Sequence, residues 1–320
     1  MKLLVVNKNE AGQRFDKLLA KQLKFASKSF IYKMLRKKNI TLNGKKASGN
    51  EQTNQGDEIQ FFLSDDTFVK FTQGDAQEGE KEFSFFMNLT LPPLDIVYED
   101  EDLCVLNKPA GMLSQKADDT DLSANEYLIA YLLQSKKISA EEFRTFRPSI
   151  CNRLDRNTSG LLIAGKSLKG LQEMAEELKS RTLEKHYRCV VKGIVKESSY
   201  VSAYLKKEET ANKVTICKEE KEGYQKIETR YTPISYGNGY TLLDVHLITG
   251  RSHQIRGHLA FLGYPLLGDD KYGDRQLNRT LHAKYGITGQ LLHAYQIIFS
   301  NGKTILCEPP ELFSQILHER

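Results

Sequence analysis

Charge is laid out along this chain in three unlike blocks, a pattern that a single evenly mixed domain does not produce. Residues 1–60 carry 13 Lys+Arg against 5 Asp+Glu, residues 61–103 carry 2 against 11, and residues 104–320 carry 31 against 25. A small basic unit, an acidic spacer and a larger, mildly basic body suggest an interaction arm joined to a main domain. The 320-residue length allows about two domains. The polyanions that suit a basic arm are nucleic acid and anionic membrane. The plainer alternative is a solvated, Lys-rich helix face.

Composition narrows the classes. Hydrophobic residues make up 40% and charged residues 27%, ordinary globular usage that supports a sizeable core and excludes wholesale disorder. No apolar run approaches the roughly 18–20 residues of a membrane helix. The apolar stretch in the opening MKLLVVNKNE is too short for a signal-peptide core, so a secreted protein is not expected. Five scattered cysteines (104, 151, 189, 217 and 307) form no C-x-x-C pair, which argues against a disulfide framework and fits a reducing cytoplasm.

In the basic unit, Phe15, Leu18, Leu19 and Leu23 recur with helical spacing. A second short helix follows Ser27, a suitable N-cap, with Ile31, Met34 and Leu35 on its apolar side. Ile40-Thr41-Leu42 then runs into Asn43-Gly44, a tight-turn signal, and a last strand spans 59–63. Lys17, Lys28, Arg36, Lys37 and Lys38 are among the cations around this small core. Two helices and a hairpin so decorated resemble the S4 RNA-binding domain. The resemblance implies salt-sensitive binding to the backbone of structured RNA.

Residues 64–92 read as an acidic linker with room for one edge strand. Beyond them, strands are expected at 102–107, at LLIA (161–164), and repeatedly after 185. Helices are expected at 122–135 and 167–180. The pattern is α+β with a mixed, mostly antiparallel sheet rather than a regular βαβ series. The expected organisation is 1–63 as the S4-like unit, 64–92 as linker and 93–320 as catalytic body.

Gly160-Leu-Leu-Ile-Ala-Gly165-Lys166-Ser167 matches the phosphate-loop pattern G-x-x-x-x-G-K-[ST]. A true phosphate loop follows a hydrophobic strand and leaves its N–H groups free to curl round phosphates. Here the preceding residues are polar and the four variable positions look like the strand itself. A nucleotide hydrolase is therefore disfavoured.

The polar segment before that strand, SICNRLDRNTSG, sets Asp155 between Arg153 and Arg156. Flanking guanidiniums keep a carboxylate ionised, which suits a nucleophile or general base. Locally, a structural Arg–Asp pair fits as well. The wider chain carries LNKPAGM (106–112), NRLDRNTSG (152–160), LEKHYRCVVKG (183–193), LITGRSHQIRGHLAFLGYPLLGDDKYG (247–273) and LLHAYQIIF (291–299), in that order. Together these resemble the RluA-type family of RNA pseudouridine synthases, over roughly 94–310.

The resemblance implies isomerisation of uridine in RNA to pseudouridine, with no cofactor and no metal. It implies Asp155 as the catalytic aspartate, Tyr187 as the active-site tyrosine packed on uracil, and Arg251 as the arginine paired with the aspartate. Arg153 matches the position that enters the RNA stack when the target base is flipped out. Flipping is required because a stacked base cannot reach a protein carboxylate. Arg156, Arg256 and Lys108 are expected as further RNA contacts, with Arg256 also able to support the sheet. The turn Lys108-Pro109-Ala110-Gly111 is expected to line the cleft. Asn152 and Asn157 stand where many relatives have His and Asp, which bears on substrate choice rather than on the reaction. His253 and His258 are five apart, which is wrong for a helical zinc pair, and Tyr272 reads as structural. The expected partner is RNA, of the large ribosomal subunit (23S type), with no membrane and no obligatory protein partner, in the cytoplasm. A non-catalytic RNA-binding factor is the competing class; it has no need of the Asp155, Tyr187 and Arg251 trio.

Overall fold

The computed structural model describes residues 1–73, 76–93, 95–208 and 212–318. The basic front contains β1 (Lys2–Val5), α1 (Phe15–Gln22), α2 (Lys28–Arg36), β2 (Ile40–Leu42), β3 (Lys45–Lys46) and β4 (Glu58–Phe61). Its four strands pair antiparallel in the order β1-β4-β2-β3. Phe15, Leu18, Leu19 and Leu23 are fully buried, as their spacing requires, and Ser27 Oγ accepts the Phe30 N–H at 3.2 Å to cap α2. Asn43 and Gly44 both take positive φ, the geometry of a tight hairpin turn. Strand β1 escaped the sequence reading, because its apolar run was considered only as a leader.

The expected edge strand in 64–92 is absent among the described residues. That stretch instead holds α3 (Asp65–Gln73) and α4 (Ala76–Asn88), while residues 74 and 75 lie outside the described residues. Its phenylalanines explain the difference. Phe68 sits 5.1 Å from the Phe61 ring and Phe71 4.3 Å from Phe30, both on the small core. Phe86, 5% exposed, packs edge-on against Phe143 in the large core. Each helix therefore serves one core, and Asp65, Asp66, Glu80 and Glu82 are exposed.

The body runs β5 (Asp95–Glu99), β6 (Leu103–Lys108), α5 (Ala124–Gln134), α6 (Ala140–Thr145), β7 (Ser149–Ile150), β8 (Ser159–Gly165), α7 (Leu168–Ser180) and β9 (Glu184–Lys192). It continues with β10 (Ser199–Glu208), β11 (Lys213–Cys217), β12 (Gln225–Gly237), β13 (Tyr240–Leu247), α8 (Gln254–Phe261), α9 (Arg275–Tyr285), β14 (Leu292–Ile298), β15 (Thr304–Leu306) and α10 (Leu312–His318). The sheet order is β11-β10-β12-β13-β9-β14-β8-β6-β5, with β15 on β14 and β7 on β8. The β14–β8 pair is parallel and the other described pairs are antiparallel, so the sheet is mixed as expected.

Gly160 permits the parallel contact. It has φ +102°, and a Cβ there would lie 2.3 Å from the Ala294 carbonyl oxygen. The phosphate-loop pattern dissolves here: residues 159–165 are strand, Lys166 Nζ is 2.6 Å from Glu99 Oε1, and Ser167 Oγ caps α7 by accepting the Gly170 N–H. No loop remains to wrap a phosphate.

Candidate active site

Four neighbouring strands, β13, β9, β14 and β8, bring the motif segments together. Asp155 lies on the β7–β8 connection, Tyr187 on β9, and the TGRSHQIR segment on the β13–α8 connection. Arg153, Asp155, Lys185, Tyr187, Arg251 and His253 are among the residues lining one cleft of about 750 Å³. A cavity of about 800 Å³ beside α4 contains none of these motif residues.

The loop carrying Asp155 is pinned on both sides. Ser114 Oγ accepts the Leu154 N–H at 3.0 Å and donates to the Leu154 carbonyl at 2.8 Å. The Arg156 carbonyl accepts from Gly111 N at 2.9 Å and Lys108 Nζ at 3.1 Å, and Arg156 Nε returns a bond to the Gly111 carbonyl. Asn152 Oδ1 accepts the Ile163 N–H at 2.8 Å, so its side chain ties the loop to β8. Backbone so fixed places the Asp155 carboxylate without freedom to wander.

The arginine that holds this carboxylate is Arg256, which corrects the expectation placed on Arg251. Arg256 Nη1 donates to Asp155 Oδ2 at 2.7 Å, while its Nε and Nη2 donate to Asp269 Oδ2 and Oδ1 at 2.7 and 2.9 Å. Arg251 is exposed on the cleft wall, where its backbone N–H donates to Gln254 Oε1. The reason is local: α8 begins at Gln254, so Arg251 precedes the helix while Arg256 projects from its buried side. Arg256 is 6% exposed and Asp269 fully buried, so Arg256 is no RNA contact. Burial alone would weaken the guanidinium's hold on its proton. The bonds and charge of Asp269, with those of Asp155, more than offset this and raise its pKa. Burial likewise pushes Asp269 up, but Arg256 and the backbone N–H groups of Tyr272 and Lys271 hold it below the usual carboxylate range.

The other oxygen, Asp155 Oδ1, faces His253 Nε2 at 3.9 Å, beyond hydrogen-bond range. His253 has φ +51°, an uncommon conformation for a non-glycine residue, and its Nδ1 lies 2.8 Å from Tyr272 Oη. That hydroxyl already accepts the Val214 N–H at 2.9 Å, so its own hydrogen is satisfied by donation to Nδ1. In that arrangement the His253 proton sits on Nε2, pointing at Asp155. Burial, opposed by Asp155 and reinforced by Arg256, keeps the His253 pKa below its usual value and the ring neutral. Sequence reading treated Tyr272 as structural and did not connect it to the site.

Tyr187 is 6% exposed, and burial with the nearby Asp155 charge raises its hydroxyl pKa, so it stays protonated at neutral pH. Lys108 is a second correction: at 1% exposure it touches no solvent. Its Nζ donates to the carbonyls of Pro109, Met112 and Arg156, binding the cleft turn to the Asp155 loop from within. Burial lowers its pKa to about 8.

Arg153 and Arg156 are exposed beside Asp155, and Lys17, Lys28, Arg36, Lys37 and Lys38 are exposed on the front unit. The cleft has additional cations that the motifs do not announce: Lys116 comes from one stretch of chain, and Lys179, Arg181 and Lys185 from another more than 60 residues on. Only folding gathers them. His258 is buried with Nδ1 3.0 Å from Thr229 Oγ1, away from any metal-binding partner set among the described residues.

A carboxylate fixed at the floor of a cationic cleft beside a buried tyrosine defines an enzyme acting on a polyanion. Residues 102–261 match the family model for RNA pseudouridylate synthase. The chain is 30% identical to ribosomal large subunit pseudouridine synthase C of Pasteurella multocida (strain Pm70), over 95% of this chain and 87% of that protein. It is 30% identical to the Escherichia coli (strain K12) protein of the same name, over 97% and 93%. Human RNA pseudouridylate synthase domain containing 4 superposes with a TM-score of 0.56 at 21% identity, covering 76% of this chain and 97% of that one. The chain belongs to the RNA pseudouridylate synthase family and is an RNA isomerase.

Proposed function

We propose that this enzyme converts uridine to pseudouridine in large-subunit ribosomal RNA, with Asp155 as the catalytic carboxylate. The relatives named above act, by their names, on the ribosomal large subunit. The observation that carries the residue assignment is the asymmetric grip on Asp155. One oxygen is held by Arg256 at 2.7 Å, and the other has no hydrogen bond from the described residues. A carboxylate with one oxygen open to the cleft is ready to act as nucleophile or base.

The reaction breaks the N1–C1′ bond, turns the uracil and joins C5 to C1′. C5 loses its proton and N1 gains one, so atoms and charge balance without oxidant, reductant or water. Arg153, exposed at the cleft rim, fills the gap left by the flipped nucleotide. Tyr187 offers its ring as a packing surface for the uracil; its raised pKa argues against a standing phenolate base. Arg251, Lys185 and Arg181 present charge to the flanking phosphates. The front unit, as an S4-like module, adds electrostatic affinity through Lys17, Lys28, Arg36, Lys37 and Lys38.

The test is tritium release from ribosomal RNA labelled at uridine C5, taken from cells lacking this protein. Wild type is expected to release label, while Asp155→Asn folds and binds RNA but releases none. Release by both would overturn the Asp155 assignment. Release by neither would overturn the choice of RNA.

A further inference from the structure

The face of β9 opposite Tyr187 carries a grid of ionisable side chains that catalysis does not use. Glu184, His186 and Arg188 alternate along β9, and His246 and Asp244 stand directly across from His186 and Arg188 on β13. Candidate ligand atoms of Glu184, His186 and His246 all lie within 4.8 Å of one another. We propose that these three side chains form a binding site for one first-row divalent cation of the zinc type, tying β9 to β13 behind the active site.

The protonation pattern points to a ligand. His186 Nδ1 lies 3.0 Å from Asp244 Oδ1; a neutral ring that donates its one N–H there presents Nε2 as a lone pair. That Nε2 is buried, has no hydrogen-bond partner, and faces Glu184 Oε2 at 3.5 Å. Two lone-pair atoms opposed at that distance repel unless a cation stands between them. A carboxylate on the far nitrogen is also the arrangement that fixes metal-binding histidines. A tetrahedral ion with bonds of about 2.0–2.1 Å draws its ligands to about 3.4 Å apart, so the site must contract. Glu184 is exposed and able to swing. The His186 and His246 rings stack at 4.6 Å and 12° from parallel, so His246 turns to aim its lone pair.

The competitor for this position is a proton. Asp244 and Glu184 raise the His186 pKa, whereas burial and the charges of His186 and Arg230 lower that of His246. Arg188 pairs with Asp244 at 3.3 Å, Arg230 stands opposite His246 on β12, and Gln296 stands opposite His186 on β14.

The experiment is calorimetric titration of the tag-free full chain with Zn²⁺ above neutral pH, with thermal unfolding in parallel. Wild type is expected to bind one ion per chain and to melt at higher temperature with it. His186→Gln, His246→Gln and the exposed Glu184→Gln should each weaken binding by about tenfold or more and lose the thermal shift. Glu184→Gln keeps the test valid if a histidine variant fails to fold. No saturable binding, or binding unchanged in Glu184→Gln and His246→Gln, would overturn the proposal; the first result would leave the proton as the occupant.

Discussion

Arg256 spans two carboxylates, donating through Nη1 to Asp155 at 2.7 Å and through Nε and Nη2 to Asp269. The Asp155–Arg256 link crosses 101 residues of sequence. It makes the position of the Asp155 carboxylate depend on a fully buried acid on a different loop. The fork geometry of guanidinium permits this and a lysine ammonium does not.

Arg256→Lys is therefore expected to fold yet lose activity on the order of 10²-fold, comparable to removing one preorganised charge-stabilising donor. The loss should fall on kcat, because RNA phosphates are held elsewhere. Arg256→Gln strands Asp269 as a buried unpaired charge and should cost about 3–5 kcal/mol in stability. Tritium-release kinetics and urea unfolding read the two effects separately. An Arg256→Lys enzyme with wild-type kcat would remove Arg256 from the mechanism.

Tyr272→Phe removes the hydroxyl between Val214 and His253. The stability cost should be about 1–2 kcal/mol. More telling is the pH profile. With Nδ1 no longer held as an acceptor, His253 can take a second proton and pair with Asp155 Oδ1, occupying the open oxygen. The acid limb of activity should move to higher pH. Superimposable profiles for variant and wild type would sink this coupling.

Lys108→Met leaves the Pro109 and Met112 carbonyls without their Lys108 donor and the Arg156 carbonyl with Gly111 N alone, and should destabilise the protein by about 2–4 kcal/mol at neutral pH. The pH dependence has a definite sign. Folding holds the Lys108 pKa near 8, below its unfolded value, so above about pH 8 the unfolded chain binds a proton that the folded one does not. Wild-type stability gains as pH rises through that window, by at most about 3 kcal/mol. The variant lacks this gain, so the measured difference between the two should widen from pH 8 to 10.

Replacing Lys28, Arg36, Lys37 and Lys38 together with Gln tests the front unit in the full chain. RNA affinity should fall, and log K against log salt should flatten by about 0.7–0.9 for each phosphate that is no longer neutralised. Filter binding across a salt series checks it. An unchanged slope would assign these exposed cations to something other than RNA.

The sequence by itself determined the motif positions and the elements with a strong local pattern, though neither β1 nor the helices α3 and α4. Helical spacing named the Phe15–Leu23 face, a continuous apolar run named β8, and the helices expected at 122–135 and 167–180 are α5 and α7, which Ser123 and Ser167 cap because capping is a local interaction. The order of the motifs gave Asp155 and Tyr187 the positions that line one cleft. The phenylalanines of 64–92 were legible in principle, since 68/71 and 83/86 share a helical face; net charge masked them.

Only the tertiary structure decided which arginine meets Asp155. Arg251 and Arg256 share one short motif, and the left-handed turn at His253 with a helix start at Gln254 turns one outward and the other inward. The same holds for Lys108, whose ammonium turns inward: two of its acceptors, Pro109 and Met112, lie on its own turn, and the third, Arg156, lies on the Asp155 loop 48 residues away. Pairing and burial are set by which segments the sheet brings side by side, and a strand order of β13-β9-β14-β8 is a non-local fact that no window of sequence contains.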